Sequence, residues 1–433
     1  MAESDLSEIL KDPRPLRILY LDLNAYFASV EQAEDPRLRG VPVGVCPVMA
    51  DSSFIIAASY EAKRFGVKTG TQIGEARRLC PEIKLVPAQP GLYTHYHRKV
   101  LEVAEQVLPI EKVCSIDEMR FRLIGSEQTP ENAQGLAQRM KAALRDDLSP
   151  CLTCSIGIAP NSFLAKLGTD LQKPDGLVIL RAEDLPGRIQ GLALTEFAGI
   201  NRKMESRLKA AGIFNSTDLL ARTPAELRAA FGSVIGDRWW YLLRGYDLEL
   251  PETSRKSLGH SHVLPPEFRT DQGCREVLLR LIGKATARLR ANDLYAQSIS
   301  FSVKGFSRTW HHQQRMPATH DTVVIQGLFL DAWEQRDFEK PRAVSITFSE
   351  LCGAEAIQPS LFEEIPDREE FNAALDNLNQ KFGKNTVYLA GMQRAKDTAK
   401  EKIAFHKTDL FSEGRDDNQW PDTFRGIPRP PED

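Results

Sequence analysis

Cysteine is scarce in this sequence: seven residues in 433, odd in number and scattered. That usage excludes a disulfide scaffold and fits reduced thiols inside a cell. The one close pair, Cys151 and Cys154, has no second pair at zinc-ligand spacing and lies in an apolar run that reads as a buried strand. No apolar stretch reaches the roughly 20 residues of a membrane-spanning helix. Residues 1–11 are polar and acidic, without the apolar centre of a signal peptide. The expectation is a cytoplasmic protein with no membrane partner. An excess of positive charge is missing too, since the net charge is −3, which excludes a uniformly basic nucleic-acid binder. No internal repeat is present.

What the sequence does contain is chain enough for several cores. Its charge is uneven: residues 254–350 are net basic by roughly four and residues 351–433 net acidic by roughly five. A basic binding module followed by an acidic appendage fits that asymmetry. His311, His312 and His320 lack cysteine or acidic partners at ligand spacing and read as surface residues.

Two acidic clusters stand out. Asp22 ends the strand-like run Arg17-Ile18-Leu19-Tyr20-Leu21, and Asp117 and Glu118 follow strand-like residues 112–116. A carboxylate in apolar sequence is expensive to bury unless a cation or hydrogen bonds compensate. Three that converge would hold a pair of hard divalent cations, the kind that run phosphoryl transfer. Neighbours in a regular strand point to opposite faces, so Asp117 and Glu118 can share a site only at a strand end or bend.

Around these clusters strands alternate with helices, which indicates a mixed α/β domain. Helices are predicted from Phe27, over 61–64, 73–79, 93–107 and 135–148, and over 163–171 behind Asn161 and Ser162 as caps. The strand at 152–158 lies between the last two. Residues 184–247 read as short helices without strands. After a polar linker at 251–256, β-type alternation returns at 298–303 and 344–348, with a helix over 275–290, as a second, smaller α/β unit. A helix over 368–382 and a polar tail complete the chain.

Five motifs occur in order: Asp22-Leu23-Asn24-Ala25-Tyr26-Phe27-Ala28-Ser29-Val30-Glu31, Tyr60-Glu61-Ala62-Lys63-Arg64-Phe65-Gly66-Val67, Ser115-Ile116-Asp117-Glu118, Ser155-Ile156-Gly157-Ile158-Ala159 and Lys173-Pro174-Asp175-Gly176. Together with Phe197-Ala198-Gly199-Ile200 they resemble the Y-family translesion DNA polymerases over roughly residues 15–350. The resemblance implies a multidomain α/β (α+β) right hand. Its parts would be a palm (15–26 and 86–182), fingers (27–85), a helical thumb with a helix-hairpin-helix (183–250), an α/β little finger (254–352), and a clamp-binding peptide with tail (353–433). The implied activity is low-fidelity, template-directed addition of deoxynucleoside triphosphates to primer–template DNA. The implied setting is a monomer in the bacterial cytoplasm, associated with the nucleoid and acting in the damage response. No exonuclease-like acidic set appears elsewhere, so proofreading is not expected.

By the same resemblance Asp22, Asp117 and Glu118, with the backbone carbonyl of Leu23, would hold two Mg²⁺ ions. Tyr60, Lys63, Arg64 and Lys173 would grip the triphosphate, although the family commonly places Arg before Lys at the 63–64 pair. A guanidinium grips phosphate bidentately and an ammonium as a point charge, so the swap is not neutral. Phe27 occupies the steric-gate position, where a ring beneath the sugar would clash with a 2′-hydroxyl. Gly199 and Asn201 fall in the helix-hairpin-helix turn, whose amides would bind DNA phosphates. Asn201 replaces the usual second glycine there, and asparagine tolerates the left-handed conformation. Arg255, Lys256, Lys304 and Arg308 are the phosphate contacts expected on the little finger. Gln358, Leu361 and Phe362 match the bacterial sliding-clamp pentapeptide, with two apolar anchors and one polar contact. Other repair-polymerase factors are further expected partners, docking on the tail.

Two departures bear on activity. Asn24 stands where the family often has a second Asp, which is not itself a ligand. Met119-Arg120-Phe121-Arg122 replaces a small residue, Tyr, an apolar residue and Asp, and sets two new cations beside the metal site or on its opposite face. They leave a second reading beside the polymerase: a non-catalytic Y-family accessory protein that binds DNA and clamp and recruits another polymerase. The intact acidic triad favours the enzyme. A different palm-type cyclase or transferase would have no use for the thumb hairpin and clamp peptide.

Overall fold

The computed structural model describes residues 14–49, 51, 53–248, 256–356, 368–383 and 385–399. These fall into two compact units, divided between residues 250 and 251.

The first unit is built on β1 (Ile18–Leu23), every residue of which is buried. A helix α1 (Tyr26–Glu34) follows, then a small sheet of β2 (Val43–Cys46), β3 (Ala57–Ala58) and, after α2 (Tyr60–Lys63) and α3 (Ile73–Leu79), β4 (Lys84–Pro87). The chain continues through α4 (Pro90–Val107), β5 (Ile110–Val113), β6 (Glu118–Arg122), α5 (Pro130–Asp147), β7 (Cys154–Ala159), α6 (Ser162–Leu171) and β8 (Leu177–Ile179). The main sheet has the order β5-β6-β1-β7-β8, with β1 antiparallel to both neighbours.

β1 is apolar throughout because both of its faces are covered. Leu19, Leu21 and Leu23 share a core with Val100 and Ala104 of α4 and Leu136 and Met140 of α5. Ile18 and Tyr20 pack with Leu164 and Leu167 of α6. Side chains alternate along a strand, so Asp22 joins Tyr20 on the α6 face. Gly157 on β7 lets that helix lie close. A Cβ there would stand 1.9 Å from the Ala165 carbonyl oxygen and 2.8 Å from the Thr169 nitrogen. Cys151 and Cys154 are free thiols.

Short helices α7 (Arg202–Ala210), α8 (Ser216–Ala221), α9 (Pro224–Phe231) and α10 (Ile235–Leu242) end the unit. Asn201, Asn215 and Thr223 cap the first three through side-chain oxygens. Asn201 therefore does not adopt the left-handed conformation allowed for it: its φ is −86° and its side chain accepts from Met204 N. The left-handed position is Gly199, at φ 102°.

The second unit is an antiparallel sheet of β9 (Ser257–Val263), β10 (Tyr295–Arg308), β11 (Trp310–Thr319) and β12 (Glu339–Cys352), in the order β11-β10-β12-β9. Helices α11 (Asp271–Arg290) and α12 (Thr322–Trp333) cover one face, around Phe301, Phe329, Trp333 and Phe348. Lys304 is exposed on the alternate positions of β10, with Ser300 and Ser302 half-buried there. A further helix, α13 (Glu369–Phe382), is tied to α11 by Arg290 and Asp376 at 2.6 Å.

Candidate active site

The acidic clusters meet at one end of the main sheet. Asp22 is 6% exposed and sits directly opposite Glu118 in the β1–β6 register. Asp117 lies just before β6, in the bend the sequence required, and its carbonyl accepts from Leu23 N at 2.9 Å. The Ser115 hydroxyl donates to Asp117 Oδ1 at 2.5 Å. Burial pushes the Asp117 carboxyl up to about 6; the Ser115 bond opposes this, while the charges of Asp22 and Glu118 add to it. Like charges at one site disfavour the ionised form of each.

One cation in the site was not legible beforehand. Lys166, on α6 and 17% exposed at its side chain, pairs with Asp22 Oδ2, with Glu118 Oε1 at 3.0 Å and with Asp170 Oδ2 at 3.4 Å. Burial would strip its charge, but Asp22 and Glu118 outweigh burial and hold the ammonium above the ordinary lysine range. The one sequence signal was a lone lysine within the otherwise apolar Phe163-Leu164-Ala165-Lys166-Leu167. Lys173 reaches the same Asp22 oxygen at 2.8 Å and Asp170 Oδ1 at 2.8 Å.

The small sheet's helix α2 faces this network. Ser59 caps it, accepting from Ala62 N, and the Lys63 ammonium lies 4.1 Å over the Tyr60 ring. Burial lowers Lys63, with Lys173 adding to that effect and Asp22 opposing it. Tyr60 is raised by burial, with Lys173 opposing it. Both side chains thus feel the charges of the acidic site. Arg64 is exposed at the C-terminal end of the same helix.

Phe27 is 4% exposed, and its ring stacks on Tyr93 at 4.3 Å between centroids. Tyr93 is itself fixed, donating its hydroxyl to Glu31 at 2.6 Å. Ala25, between Asn24 and Tyr26, is left-handed at φ 48°, a local strain that turns the chain sharply from β1 into α1.

Asn24 is a structural tie. Its Nδ2 donates to Ser155 Oγ at 3.0 Å, and its Oδ1 accepts from Asp175 N at 2.8 Å. The Ser155 hydroxyl donates to the Gln172 carbonyl and also accepts from Gly176 N at 3.3 Å, so toward Asn24 its oxygen can only accept. An amide supplies both roles; a carboxylate cannot donate. The tie holds the turn that carries Lys173 against β1.

Arg120 and Arg122 share the face of β6 that carries Glu118, yet both are drawn to other acids. Arg120 pairs with Glu111 at 2.9 Å and donates to Ser162 at 3.0 Å. Arg122 pairs with Glu111 at 2.6 Å and with Asp247 at 3.3 Å.

His97 braces the acidic loop from behind. It is fully buried, and its Nδ1 donates to the Ile116 carbonyl at 2.7 Å. Burial pushes its pKa down from the ordinary 6.5 to about 4, with that hydrogen bond opposing. The unfolded chain therefore takes up a proton that the folded one refuses between these values, so stability falls as pH drops through the window. The unfolding free energy of wild type, relative to His97→Gln, is expected to fall by ~3 kcal/mol between pH 7 and 4 in urea titrations. A difference that does not vary with pH would contradict this.

The remaining predicted contacts are dispersed. Gly199 and Asn201 are exposed at their turn, and Lys256 and Lys304 are exposed in the second unit. Arg308 is engaged by Asp337 at 2.5 Å. Arg255, Gln358, Leu361 and Phe362 lie outside the described residues.

Among the described residues no three His, Cys, Asp or Glu side chains are disposed as a ready metal cluster. Lys166 reaches between Asp22 and Glu118. The donor set itself is all hard oxygen and mutually repelling, which fits Mg²⁺ chemistry.

Comparison with known proteins agrees with this geometry. The chain matches the impB/mucB/samB family over residues 21–170 and that family's C-terminal domain over residues 255–361. It is 31% identical over 385 residues to DNA polymerase IV of Moorella thermoacetica, covering 86% of this chain and 95% of that protein. The chain belongs to the Y family of DNA polymerases. DNA polymerase IV 1 of Bacillus subtilis is 27% identical over 413 residues, covering 92% of this chain and 97% of that one. The Y-family fold extends to a solved structure described as a Y-family DNA polymerase chimera, Dbh-Dpo4(243-245)-Dbh. It aligns with a TM-score of 0.67 at 23% identity, over 78% of this chain and all of that one. No described helix is long and apolar enough to cross a membrane.

Proposed function

We propose that the translesion DNA polymerase activity of this Y-family member runs through Asp22, Asp117 and Glu118, loaded with two Mg²⁺ ions. The observation that supports this most is the Asp22–Glu118 register with Asp117 at the adjoining bend, which gathers three carboxylates at one sheet end. The Leu23 carbonyl completes the ligand set. When bound, the metals supply a more acidic primer 3′-hydroxyl and neutralise charge on the departing pyrophosphate.

The chain's own residues do the positioning. Lys173, Lys63 and Arg64 hold the triphosphate, with Tyr60 beside them, so that the primer oxygen meets the α-phosphorus in line. A bond forms from that oxygen to phosphorus as the bond to pyrophosphate breaks. Phe27, braced on Tyr93, fills the space a 2′-hydroxyl would need. Gly199 and Asn201 offer amides to the duplex backbone, while Lys256 and Lys304, with Arg255 and Arg308, make the phosphate contacts of the little finger. Gln358, Leu361 and Phe362 dock on the bacterial sliding clamp, and the tail is left to other repair factors. The pairing of Arg120 and Arg122 with Glu111 and Asp247 removes the main argument for an inactive accessory role.

Primer extension on undamaged and abasic templates tests the reading. Extension with Mg²⁺ that stops in EDTA is expected; wild type that binds primer–template but never extends it would refute catalysis. Phe27→Ala should lower discrimination against ribonucleotides by at least about tenfold, roughly 1.4 kcal/mol. Unchanged sugar selectivity would remove Phe27 as the gate. Deleting residues 358–362 should abolish stimulation by the clamp and spare distributive synthesis, and full stimulation of the deletion variant would show the peptide to be incidental.

A further inference from the structure

Four charged side chains close a ring at the acidic site. Lys166 links Asp22 to Asp170, and Lys173 links Asp170 back to Asp22. Lys166 also holds Glu118 Oε1 at 3.0 Å. The ammonium thus occupies oxygens of two of the three carboxylates assigned to metal. A divalent cation and an ammonium repel, so both cannot sit on the same oxygens. Asp170 lies four residues beyond Lys166 on α6, a spacing that puts the two on one helix face. The lysine stem ends with Nζ 5.8 Å from the centroid of the Tyr20 ring. That flexible stem gives the ammonium reach between the sheet-end acids and Asp170.

We propose that Lys166 is a built-in counter-ion that competes with divalent metal for Asp22 and Glu118, and that Asp170 receives the ammonium when metal displaces it. The inference rests on the reading of the triad as the metal site. It goes further by making metal entry conditional. Alone, a cation must evict Lys166. A nucleotide brings negative charge that engages Lys173, loosens the ring through Asp22 and Asp170, and favours the exchange. Metal and nucleotide then load together, and Lys166 acts as a positioning residue for the metals, with no contact to the reacting atoms required.

The test is titration of Mn²⁺ followed by its electron paramagnetic resonance signal, without DNA, with and without a non-hydrolysable deoxynucleoside triphosphate. Lys166→Met should bind Mn²⁺ at least about tenfold more tightly than wild type in the absence of nucleotide, about 1.4 kcal/mol. Asp170→Asn should bind it more weakly, because the displaced ammonium has lost its second seat. Charge removal alone would give the same two directions, so the discriminating readout is the double variant: with Lys166→Met present, Asp170→Asn should no longer weaken Mn²⁺ binding, and additive effects would contradict its role as the second seat of the ammonium. Should Lys166→Met lose fold, Lys166→Gln serves instead; in EDTA it should melt below wild type, and Mn²⁺ should erase that difference.

The proposal is overturned if Lys166→Met and Lys166→Gln bind Mn²⁺ no more tightly than wild type. The triad reading would still stand in that case if Asp117→Ala/Glu118→Ala abolishes the Mn²⁺ binding seen with nucleotide. If the tighter binding of Lys166→Met persists after Asp117→Ala/Glu118→Ala is added, the metal lies elsewhere, and both readings fail.

Discussion

Asp117→Ala/Glu118→Ala is expected to abolish nucleotide addition while leaving primer–template binding close to wild type. The two side chains supply most of the hard oxygen at the sheet end, and Asp22 alone cannot hold two cations. Loss of several kcal/mol of charge stabilisation corresponds to about a thousandfold or more in rate. Single-turnover extension with saturating nucleotide isolates that step from binding. The double variant also removes a carboxyl that burial disfavours in its charged form, so its fold should survive, which near-ultraviolet circular dichroism can verify. Residual extension within tenfold of wild type would mean that other groups carry the chemistry.

The second large effect is expected at a residue that touches neither metal nor substrate. Gly157→Val should destabilise the first unit by roughly 4 kcal/mol or more. A Cβ at this position would meet the Ala165 carbonyl oxygen at 1.9 Å and the Thr169 nitrogen at 2.8 Å. Both atoms belong to the backbone of α6, and no rotamer change can make room. The helix must lift, and Lys166 lifts with it away from Asp22 and Glu118. A drop of about 10 °C in melting temperature is expected for a unit of this size. A variant that melts within 2 °C of wild type would show that α6 is not held by this close approach.

These two predictions mark what was legible in the sequence and what was not. The carboxylates could be found because each interrupts apolar sequence, and because Asp117 and Glu118 are neighbours that only a bend could bring together. The structure supplies that bend just before β6. Lys166 was invisible as a partner because a helix cation has no sequence mark of its target. Its aim depends on how α6 lies on the sheet, which the close approach of Gly168 on α6 to Gly157 on β7 sets. Arg120 and Arg122 were legible as cations near the site but not as occupied ones. Glu111 lies on the neighbouring strand and Asp247 is 125 positions away in the chain. Asn201 was misread for a related reason: the left-handed position fell to Gly199, which left the asparagine to cap α7. β11 escaped notice because its middle, His311-His312-Gln313-Gln314-Arg315, has no apolar alternation, and the strand buries only Trp310, Met316 and Thr319.

The most direct measurement is anomalous X-ray scattering from crystals of the protein with primer–template, a non-hydrolysable deoxynucleoside triphosphate and Mn²⁺. Two manganese peaks within coordination distance of Asp22, Asp117 and Glu118, one of them shared with the triphosphate, are the result this account predicts. Peaks elsewhere, or an ordered nucleotide beside a triad still held by Lys166, would contradict it.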